Sequence, residues 1–379
     1  MDSRVVALTD IDESFIDRWR ALANRTDITP NPFFDPDFLL PAAAYMPEAK
    51  DMRLLVGEDH GDLVWLMPLV PSSQLGMVPM LSGLRNCVPR AYCGQPLVVA
   101  GYESAAAAFV LRHLSESHHT FWLRLQMLDA DDMFAQSLVA GRGHASVHVE
   151  AITRGLAVRR PEPDYLSGNS NADQLLRQRR LFETSSGKPL DVVDCSADPQ
   201  AVDDFLAMES AGGKCRAMLD FAAEPGHAEF LRQMCSNFRD RGQLQMWSLR
   251  AGDQNVAMKL SLMAGAALFC YVIAFASGYE ELFSGLQLEV ENFRFFHDQP
   301  RFCLMDSCAP PGNMLFNSLY PDRRSLVNLT IGSGLLGRAV TSLGPLARPL
   351  TRRRRAVAKA AARAAAEPFG APLVKRSGS

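Results

Sequence analysis

The chain has 379 residues, of which 47% are hydrophobic and 21% are charged, and its formal net charge is −3. This length favours two packed domains of roughly 150 residues each, and the composition excludes a disordered chain or a small disulfide-stapled scaffold. The charge is unevenly distributed along the chain. Residues 344–379 contain nine Lys or Arg and one Glu, so this segment has a formal charge of +8 and residues 1–343 have −11. The body therefore lacks the positive field of a nucleic-acid-binding protein, and we expect no specific nucleic acid partner.

Eight cysteines are spaced singly, without a CxxC pair. This pattern argues against a zinc knuckle and a disulfide framework, so we expect most of them to be reduced and buried. The first twenty residues lack the basic and apolar pattern of a secretory signal, and we expect a cytoplasmic protein. Residues 260–277 carry no charge, but Gly265 interrupts them and strand formers predominate, which favours buried strands over a membrane span.

The first half of the chain mixes helix and strand patterns. Helices are predicted at 15–23, 105–114 and 130–141, and strands at 53–58, 63–70 and 121–128. The first two strands are separated by Asp59–Asp62, which predicts a hairpin. The proline-rich segment 29–41 is predicted to be a loop.

The second half has a more regular order. Helices are predicted at 172–183, 199–210, 226–241 and from 284 onward, and strands at 189–194, 243–250, 255–263, 267–275 and 301–308. Short turns join the three strands between 243 and 275, so they must be antiparallel neighbours. The pattern predicts an α+β sheet domain, and the first half repeats the same order in rougher form.

Gly285 lies where the last strand of this meander leads into a helix. Unpaired backbone amides at the positive end of a helix bind phosphate without a charged side chain, and a glycine permits close approach. A glycine at a helix start is also common in purely structural settings. The prediction of a phosphate site therefore rests more on the order of the strands and the helix than on the glycine.

Four segments resemble, in order and spacing, the motifs of the GNAT acyltransferase superfamily. They are Met208–Lys214, Phe269–Phe275, Phe283–Leu288 and Met305–Pro311. The chain is most similar to the two-domain bacterial cellulose-biosynthesis-associated acetyltransferases, which are related to the Fem-type peptidyl transferases. The resemblance implies two fused GNAT-like α+β domains, each a mainly antiparallel mixed sheet flanked by helices. Their expected bounds are 1–158 and, for the acyltransferase domain, 159–335, followed by a basic Ala/Arg-rich tail at 336–379.

The resemblance further implies acyl transfer from acetyl-CoA or another acyl-CoA to an amine or hydroxyl. The acceptor that it implies is a small molecule or saccharide in cell-envelope or polysaccharide biosynthesis. Of the family's Ser-Pro-Gly turn, only the glycine is kept in Phe283-Ser284-Gly285. The positions that are expected to contact the cofactor are Phe275, Ser284, Gly285, Leu286, Gln287 and Leu288.

Two carboxylates are candidates for the base that accepts a proton from the attacking group. The family's Glu, Gly, Lys element falls on Glu209, Gly213 and Lys214, and its Asp-x-Cys-Ala element falls on Asp306, Cys308 and Ala309. Glu209 has the alternative of a solvated carboxylate, and Asp306 that of a structural acceptor for loop amides. Lys214, beside Gly213, is expected to bind the acceptor substrate or to be an exposed loop charge.

Tyr271 is a candidate general acid, with the alternative of a buried strand tyrosine that packs its ring. Cys308 is a candidate nucleophile, but no His lies near it in sequence, which favours an inert thiol. His118-His119 lacks a third ligand, and no metal is expected.

The basic tail has two interpretations: it binds an anionic membrane surface, which would make the protein membrane-peripheral, or it only aids solubility. Two alternative functions also remain, a Fem-type transferase that uses aminoacyl-tRNA and a catalytically silent scaffold in exopolysaccharide assembly.

Overall fold

A computed structural model describes residues 1–75, 78–117, 119–161, 165–211, 221–279, 282–310 and 312–342. Its helices are α1 Glu13–Ala23, α2 Pro36–Tyr45, α3 Glu103–Glu116, α4 Met133–Ala140, α5 Ser170–Ser186, α6 Ala201–Ala211, α7 His227–Asp240, α8 Ser284–Asp298 and α9 Met314–Asn317, and another helix covers 334–342. Its strands are β1 Asp2–Ala7, β2 Arg53–Asp59, β3 Asp62–Leu75, β4 Val78–Arg85, β5 Leu97–Val98, β6 Trp122–Asp129, β7 Ser146–Val158, β8 Leu190–Asp194, β9 Leu244–Ala251, β10 Gln254–Ala264, β11 Ala267–Phe275, β12 Leu304–Asp306 and β13 Asp322–Gly332.

The strands form one mixed sheet in the order β1-β2-β3-β4-β6-β13-β7-β12-β11-β10-β9-β8, with β5 beside β3. Two neighbouring pairs are parallel, β4 with β6 and β11 with β12, and the other pairs are antiparallel. A parallel pair requires a crossover connection. The helix α3 lies in the connection from β4 to β6, and α8 lies in the connection from β11 to β12.

The two halves repeat one order of elements. The first runs β1-α1-α2-β2-β3-β4-α3-β6-α4-β7, with the short β5 added, and the second runs β8-α6-α7-β9-β10-β11-α8-β12-α9-β13. Each half therefore has a mainly antiparallel sheet with one parallel pair and flanking helices. This confirms the two fused α+β units that the resemblance implied.

The last strands of the two units are exchanged. The strand β13, which ends the second unit, lies between β6 and β7, and β7, which ends the first unit, pairs with β12 of the second. Eleven residue pairs join β7 to β13, from Asp322 opposite Leu156 to Gly332 opposite Ser146. The chain thus interlocks its halves by backbone hydrogen bonds, and the boundary at residue 158 stays a prediction.

The largest hydrophobic core also joins the halves. Phe33 and Phe38 of the first half pack against each other and against rings of the second half, with centroids 5.1–6.0 Å apart. The partner rings are Phe230 of α7 and Phe269 and Tyr271 of β11; the Phe33–Tyr271 pair is tilted, and the other pairs are edge-on. Because these rings are fully or almost fully buried, the interface between the halves is as dry as a domain interior.

The segment 29–41 is not a loop throughout, and this prediction was wrong beyond residue 35. Asp35 caps α2 by accepting a hydrogen bond from Asp37 N at 2.9 Å, and Pro36 occupies the first helical position. Proline is well tolerated there, because the first amide of a helix lacks an acceptor anyway. The prolines therefore mark a helix start.

Most other local predictions are confirmed, including the hairpin β2–β3 and the meander β9–β10–β11. Five strands were missed, β1, β4, β5, β7 and β13, and the strand predicted at 301–308 is limited to Leu304–Asp306. Residues 260–277 form buried strands as predicted, and no described helix is long and apolar enough to cross a membrane. The cysteines of the described residues are free, and all except Cys303 are buried.

A glycine at position 155 lets Tyr320 lie against β7. A Cβ atom at Gly155 would approach Tyr320 Cβ and Cγ to 2.8 Å, whereas a Cβ at Gly312 would meet no atom within 4 Å. We expect Gly155→Ala to lower the free energy of unfolding by about 1–3 kcal/mol through overpacking, and Gly312→Ala to leave it nearly unchanged. Urea unfolding of both variants checks this, and equal stability of the two would contradict it.

Candidate active site at the divergence of β11 and β12

The parallel strands β11 and β12 stay together for three residue pairs, Ala267–Leu304, Leu268–Met305 and Phe269–Asp306. β12 ends there, while β11 continues to Phe275. From residue 270 onward, β11 therefore has no described strand partner on its β12 side. Backbone groups at such a divergence are available to a ligand, because an edge without a partner leaves amide donors and carbonyl acceptors unpaired.

An aromatic cluster lines one face of this divergence. Around the Tyr271 ring lie Phe33, Phe38, Tyr92 and Phe221, with centroids 5.6, 6.0, 5.7 and 6.5 Å away. Three of these four neighbours belong to the first half of the chain. Both halves therefore build this face.

The hydroxyl of Tyr271 is buried and has no hydrogen-bond partner among the described residues. Burial raises the pKa of Tyr271 well above its usual value, and the hydroxyl therefore stays protonated. Leaving a buried hydroxyl without a partner is costly. This geometry suits a group that donates a hydrogen bond to a ligand, and the role of general acid stays a prediction.

Glu209 lies at the same face. It is half-buried on α6, and its Oε2 accepts a hydrogen bond from Phe221 N at 2.7 Å. Burial raises the pKa of Tyr92, the nearby Arg90 opposes this shift, and the negative charge of Glu209 adds to it. The structure thus brings Glu209 and Tyr271, which are 62 positions apart in sequence, to one site.

Three residues that sequence reasoning missed adjoin this face. The guanidinium of Arg90 lies 4.4 Å from the Phe221 ring centroid, and its Nε donates to His227 Nδ1 at 3.2 Å. His227 Nε2 is 3.4 Å from Glu48 Oε2. Since Nδ1 accepts, the proton of a neutral His227 is on Nε2. No local motif could reveal this set of contacts, because Arg90 lies 42 positions after Glu48 and 137 positions before His227.

Asp306 is held by two arginines. Its Oδ2 is 2.6 Å from Arg154 Nη2 and 2.8 Å from Arg324 Nη1, and its Oδ1 accepts from Cys308 N at 2.9 Å. Burial alone would raise the pKa of Asp306, but the two guanidiniums and the amide hold it below its usual value. A carboxylate so strongly stabilised as an anion is a weak base. The geometry therefore favours the structural role that the sequence left open.

Cys308 has a left-handed backbone with φ of 50° and is almost fully buried. Burial raises the pKa of its thiol well above the usual value. Since the thiolate is the nucleophilic form, this environment favours the inert thiol of the two alternatives.

The start of α8 is partly different from the predicted phosphate site. Phe283 precedes the helix with φ of 49°, and its carbonyl accepts the amides of Leu286 and Gln287 at 2.8 and 3.2 Å. Those two amides are therefore occupied and do not serve a phosphate, which corrects the expectation for them. Among the described residues, the amides of Ser284 and Gly285 have no acceptor.

The side chains of this segment serve packing. Gln287 Nε2 donates to the Leu175 carbonyl of α5 at 2.8 Å, and Leu286 and Leu288 are buried in separate hydrophobic clusters. A Cβ at Gly285 would lie 3.1 Å from Ile273 Cδ1 and 3.8 Å from Phe275 Cδ1, so the glycine also brings α8 close to β11. Lys214 and Gly213 lie outside the described residues.

On the side that faces α8, Tyr320 covers the point where β11 and β12 begin to separate. Tyr320 Oη lies 3.3 Å from Cys270 Sγ, at the first residue of β11 beyond the paired segment, and it also contacts Glu289. Glu289 in turn forms a buried ion pair with Lys259. Burial lowers the pKa of Lys259, and the neighbouring Cys270 and Cys308 act in the opposite direction.

Residues 169–301 match the family model described as "Acetyltransferase (GNAT) domain". They cover α5 to α8 and the meander. This part of the chain is a GNAT domain. A search among curated proteins found no significant match to the chain.

Solved structures extend the likeness over both halves. The chain is similar to FemX, with a TM-score of 0.57 and 8% identity over 86% of this chain and 97% of that one. A Bacteroides thetaiotaomicron protein of unknown function has a TM-score of 0.52 and 12% identity, over 86% of this chain and 98% of that one. A third similar structure is the C-terminal DUF2156 domain of an Agrobacterium fabrum protein assigned as a lysylphosphatidylglycerol synthetase. It has a TM-score of 0.51 and 10% identity, over 87% of this chain and 94% of that one. At these identities the likeness shows a shared fold.

The GNAT domain and the first half of the chain together form a transferase scaffold. Within the described ranges, no group of three or more His, Cys, Asp or Glu side chains could hold a metal ion.

A substitution at Asp306 tests its two possible roles, structural anchor and catalytic base. We expect Asp306→Asn to lower the free energy of unfolding by about 3–5 kcal/mol, because it leaves two buried guanidiniums without their shared anion. The depressed pKa also means that this stabilisation is complete above about pH 4 and is lost as the pH falls further. Denaturant unfolding at pH 7 and pH 3 measures both effects. A stable but inactive variant at pH 7 would instead support the catalytic role.

Proposed function

We propose that the chain is an acyl-CoA-dependent N- or O-acyltransferase that transfers an acetyl group. One observation carries the proposal: β11 of the GNAT domain separates from β12 after three residue pairs, with Tyr271 and Glu209 at one face. At the start of α8, the amides of Ser284 and Gly285 have no acceptor among the described residues. A thioester is already activated, so such a reaction needs mainly positioning and stabilisation of the oxyanion. At the divergence, backbone groups would supply both the positioning and the stabilisation of the oxyanion.

The donor's diphosphate would lie at the start of α8. The amides of Ser284 and Gly285 and the positive end of the helix favour an anion there. The side chain at 283 does not take part, so the loss of the family's Ser-Pro-Gly sequence leaves this contribution in place. The closure of the divergence by Tyr320 at Cys270 supports a short acyl group rather than a long chain.

In the proposed reaction, an amine or hydroxyl of the acceptor attacks the thioester carbonyl and Glu209 takes its proton. The bond to sulfur breaks as coenzyme A leaves, and Tyr271 donates a hydrogen bond to the departing group. The acceptor that we propose is a saccharide or other precursor of the cell envelope, in the cytoplasm. The first half contributes Phe33, Tyr92 and Arg90 to the acceptor face.

A second candidate is aminoacyl transfer from charged tRNA. The fold shared with FemX over 86% of the chain favours it, as does the charge of +8 on residues 344–379. Positively charged segments bind RNA in a strongly salt-dependent manner. The acceptor face would be common to both reactions, and the donors would differ.

Binding of the donor separates these functions. We expect calorimetry to give micromolar binding of acetyl-CoA, weakened at least tenfold by Gly285→Asp because a carboxylate would face the diphosphate. Gly285→Ala is the matched control, since it adds only a Cβ 3.1 Å from the movable end of Ile273. Salt-sensitive tRNA binding without acetyl-CoA binding would favour the aminoacyl reaction, and binding of neither would favour a silent scaffold.

The base has its own test. We expect Glu209→Gln to lower kcat by about 10²–10⁴, because the amide cannot accept the proton. Asp204→Asn, which changes an exposed carboxylate on the same helix, should leave kcat unchanged. The rate as a function of pH is measured with both variants. A Glu209→Gln enzyme with the parent's kcat would exclude this residue as base.

A further inference from the structure

A large groove lies where the first half meets the helix 334–342, outside the candidate active site. It encloses about 910 Å³ between α3, α4, the loop 141–145 and the helix at 334–342. None of its lining residues belongs to the divergence of β11 and β12. The transferase chemistry therefore leaves this groove without a role.

The groove combines an apolar wall with a cationic rim. Leu111, Leu114 and Leu335 provide apolar surface, and Arg112, Arg142 and Arg338 provide positive charge. Among the described residues, no Asp or Glu lines it. Such a surface suits a ligand that has both an anionic and an apolar part.

No described carboxylate neutralises the charge of the three arginines. Within the described part of the chain, none of them forms an ion pair with a carboxylate. Arg142 Nη1 donates to the Val139 carbonyl at 2.6 Å, and Arg338 Nη2 donates to the His144 carbonyl at 3.2 Å. Neutral carbonyls thus hold the guanidiniums of Arg142 and Arg338 in place without neutralising them, which leaves their full charge for a bound anion.

The surface beside the groove is apolar. The side chain of Leu335 is 84% exposed and that of Leu336 is 49% exposed, at the start of the helix 334–342. The basic segment 344–379 follows this helix in the sequence. Exposed apolar side chains next to clustered positive charge are typical of proteins that bind the surface of an anionic membrane.

We propose that this groove binds the phosphate headgroup of an anionic phospholipid at a membrane surface. The three arginines would contact the phosphate, and the apolar wall would contact the first part of the acyl chain. Leu335 and Leu336 would enter the interface. This binding is independent of acyl transfer, so either proposal can fail without the other.

The test uses the full chain and vesicles of phosphatidylcholine with or without 30% phosphatidylglycerol. Arg112→Gln/Arg142→Gln/Arg338→Gln removes the rim. Arg53→Gln/Arg177→Gln/Arg180→Gln is the control, because it removes three exposed arginines elsewhere and leaves the same net charge. Leu335→Ser/Leu336→Ser tests the apolar contact at unchanged charge. Co-sedimentation gives the partition coefficient, and circular dichroism with thermal unfolding serves as a control for folding.

We expect the rim variant to partition about a hundredfold less than the parent, since each basic residue near an anionic surface contributes roughly fivefold. The control variant should lose much less, the serine variant should also weaken binding, and vesicles without phosphatidylglycerol should bind little. Equal losses in the rim and control variants, or no loss in either, would overturn the proposal. So would calorimetric binding of inorganic phosphate without binding to vesicles, which would assign the groove to a soluble anion.

Discussion

Two buried arginines face each other across the centre of the sheet, and a single carboxylate holds them there. Arg154 of β7 pairs directly with Arg324 of β13, an arrangement that repulsion would otherwise disfavour. Asp306 of β12 binds both, and Asp129 of β6 is 3.4 Å from Arg324. The charges thus cross four adjacent strands that alternate between the two halves. This cluster requires the strand exchange, because only the exchange makes these strands neighbours.

The position of the candidate site follows from that constraint. β12 ends at Asp306, so the residue that satisfies the arginines is also the last to pair with β11. The divergence begins one residue later, at Cys270 and Ser307, and Ser307 N is instead bound to the Gly155 carbonyl of β7 at 3.1 Å. The exchanged strand therefore draws the chain away from β11. The ion cluster and the opening of the sheet are two consequences of one topology.

The sequence predicted what depends on local patterns. Period-two runs and short turns gave the meander and the hairpin, and helical spacing gave α1, α3 and α5 to α8. β7 and β13 were missed although both alternate, because polar residues such as His148, Glu150 and Asn328 interrupt their apolar pattern. Glu150 accepts bonds from Arg124 and Asn328 across the exchanged strands, so its polarity is explained only by distant partners. Likewise Glu209 and Tyr271 were proposed singly, whereas Arg90, His227 and Glu48 meet only through the tertiary fold.

The start of α8 illustrates why a family motif is an incomplete guide to such a site. The Ser-Pro-Gly sequence is reduced to its glycine, yet the helix still begins at Ser284, because Phe283 adopts a left-handed conformation and accepts two amides. What a diphosphate would meet there is decided by backbone direction, not by the side chains that define the motif. Gly285 is needed for a second reason, the close contact of α8 with Ile273 of β11. Selection for packing can therefore preserve the glycine and the amide geometry together, while the neighbouring positions change.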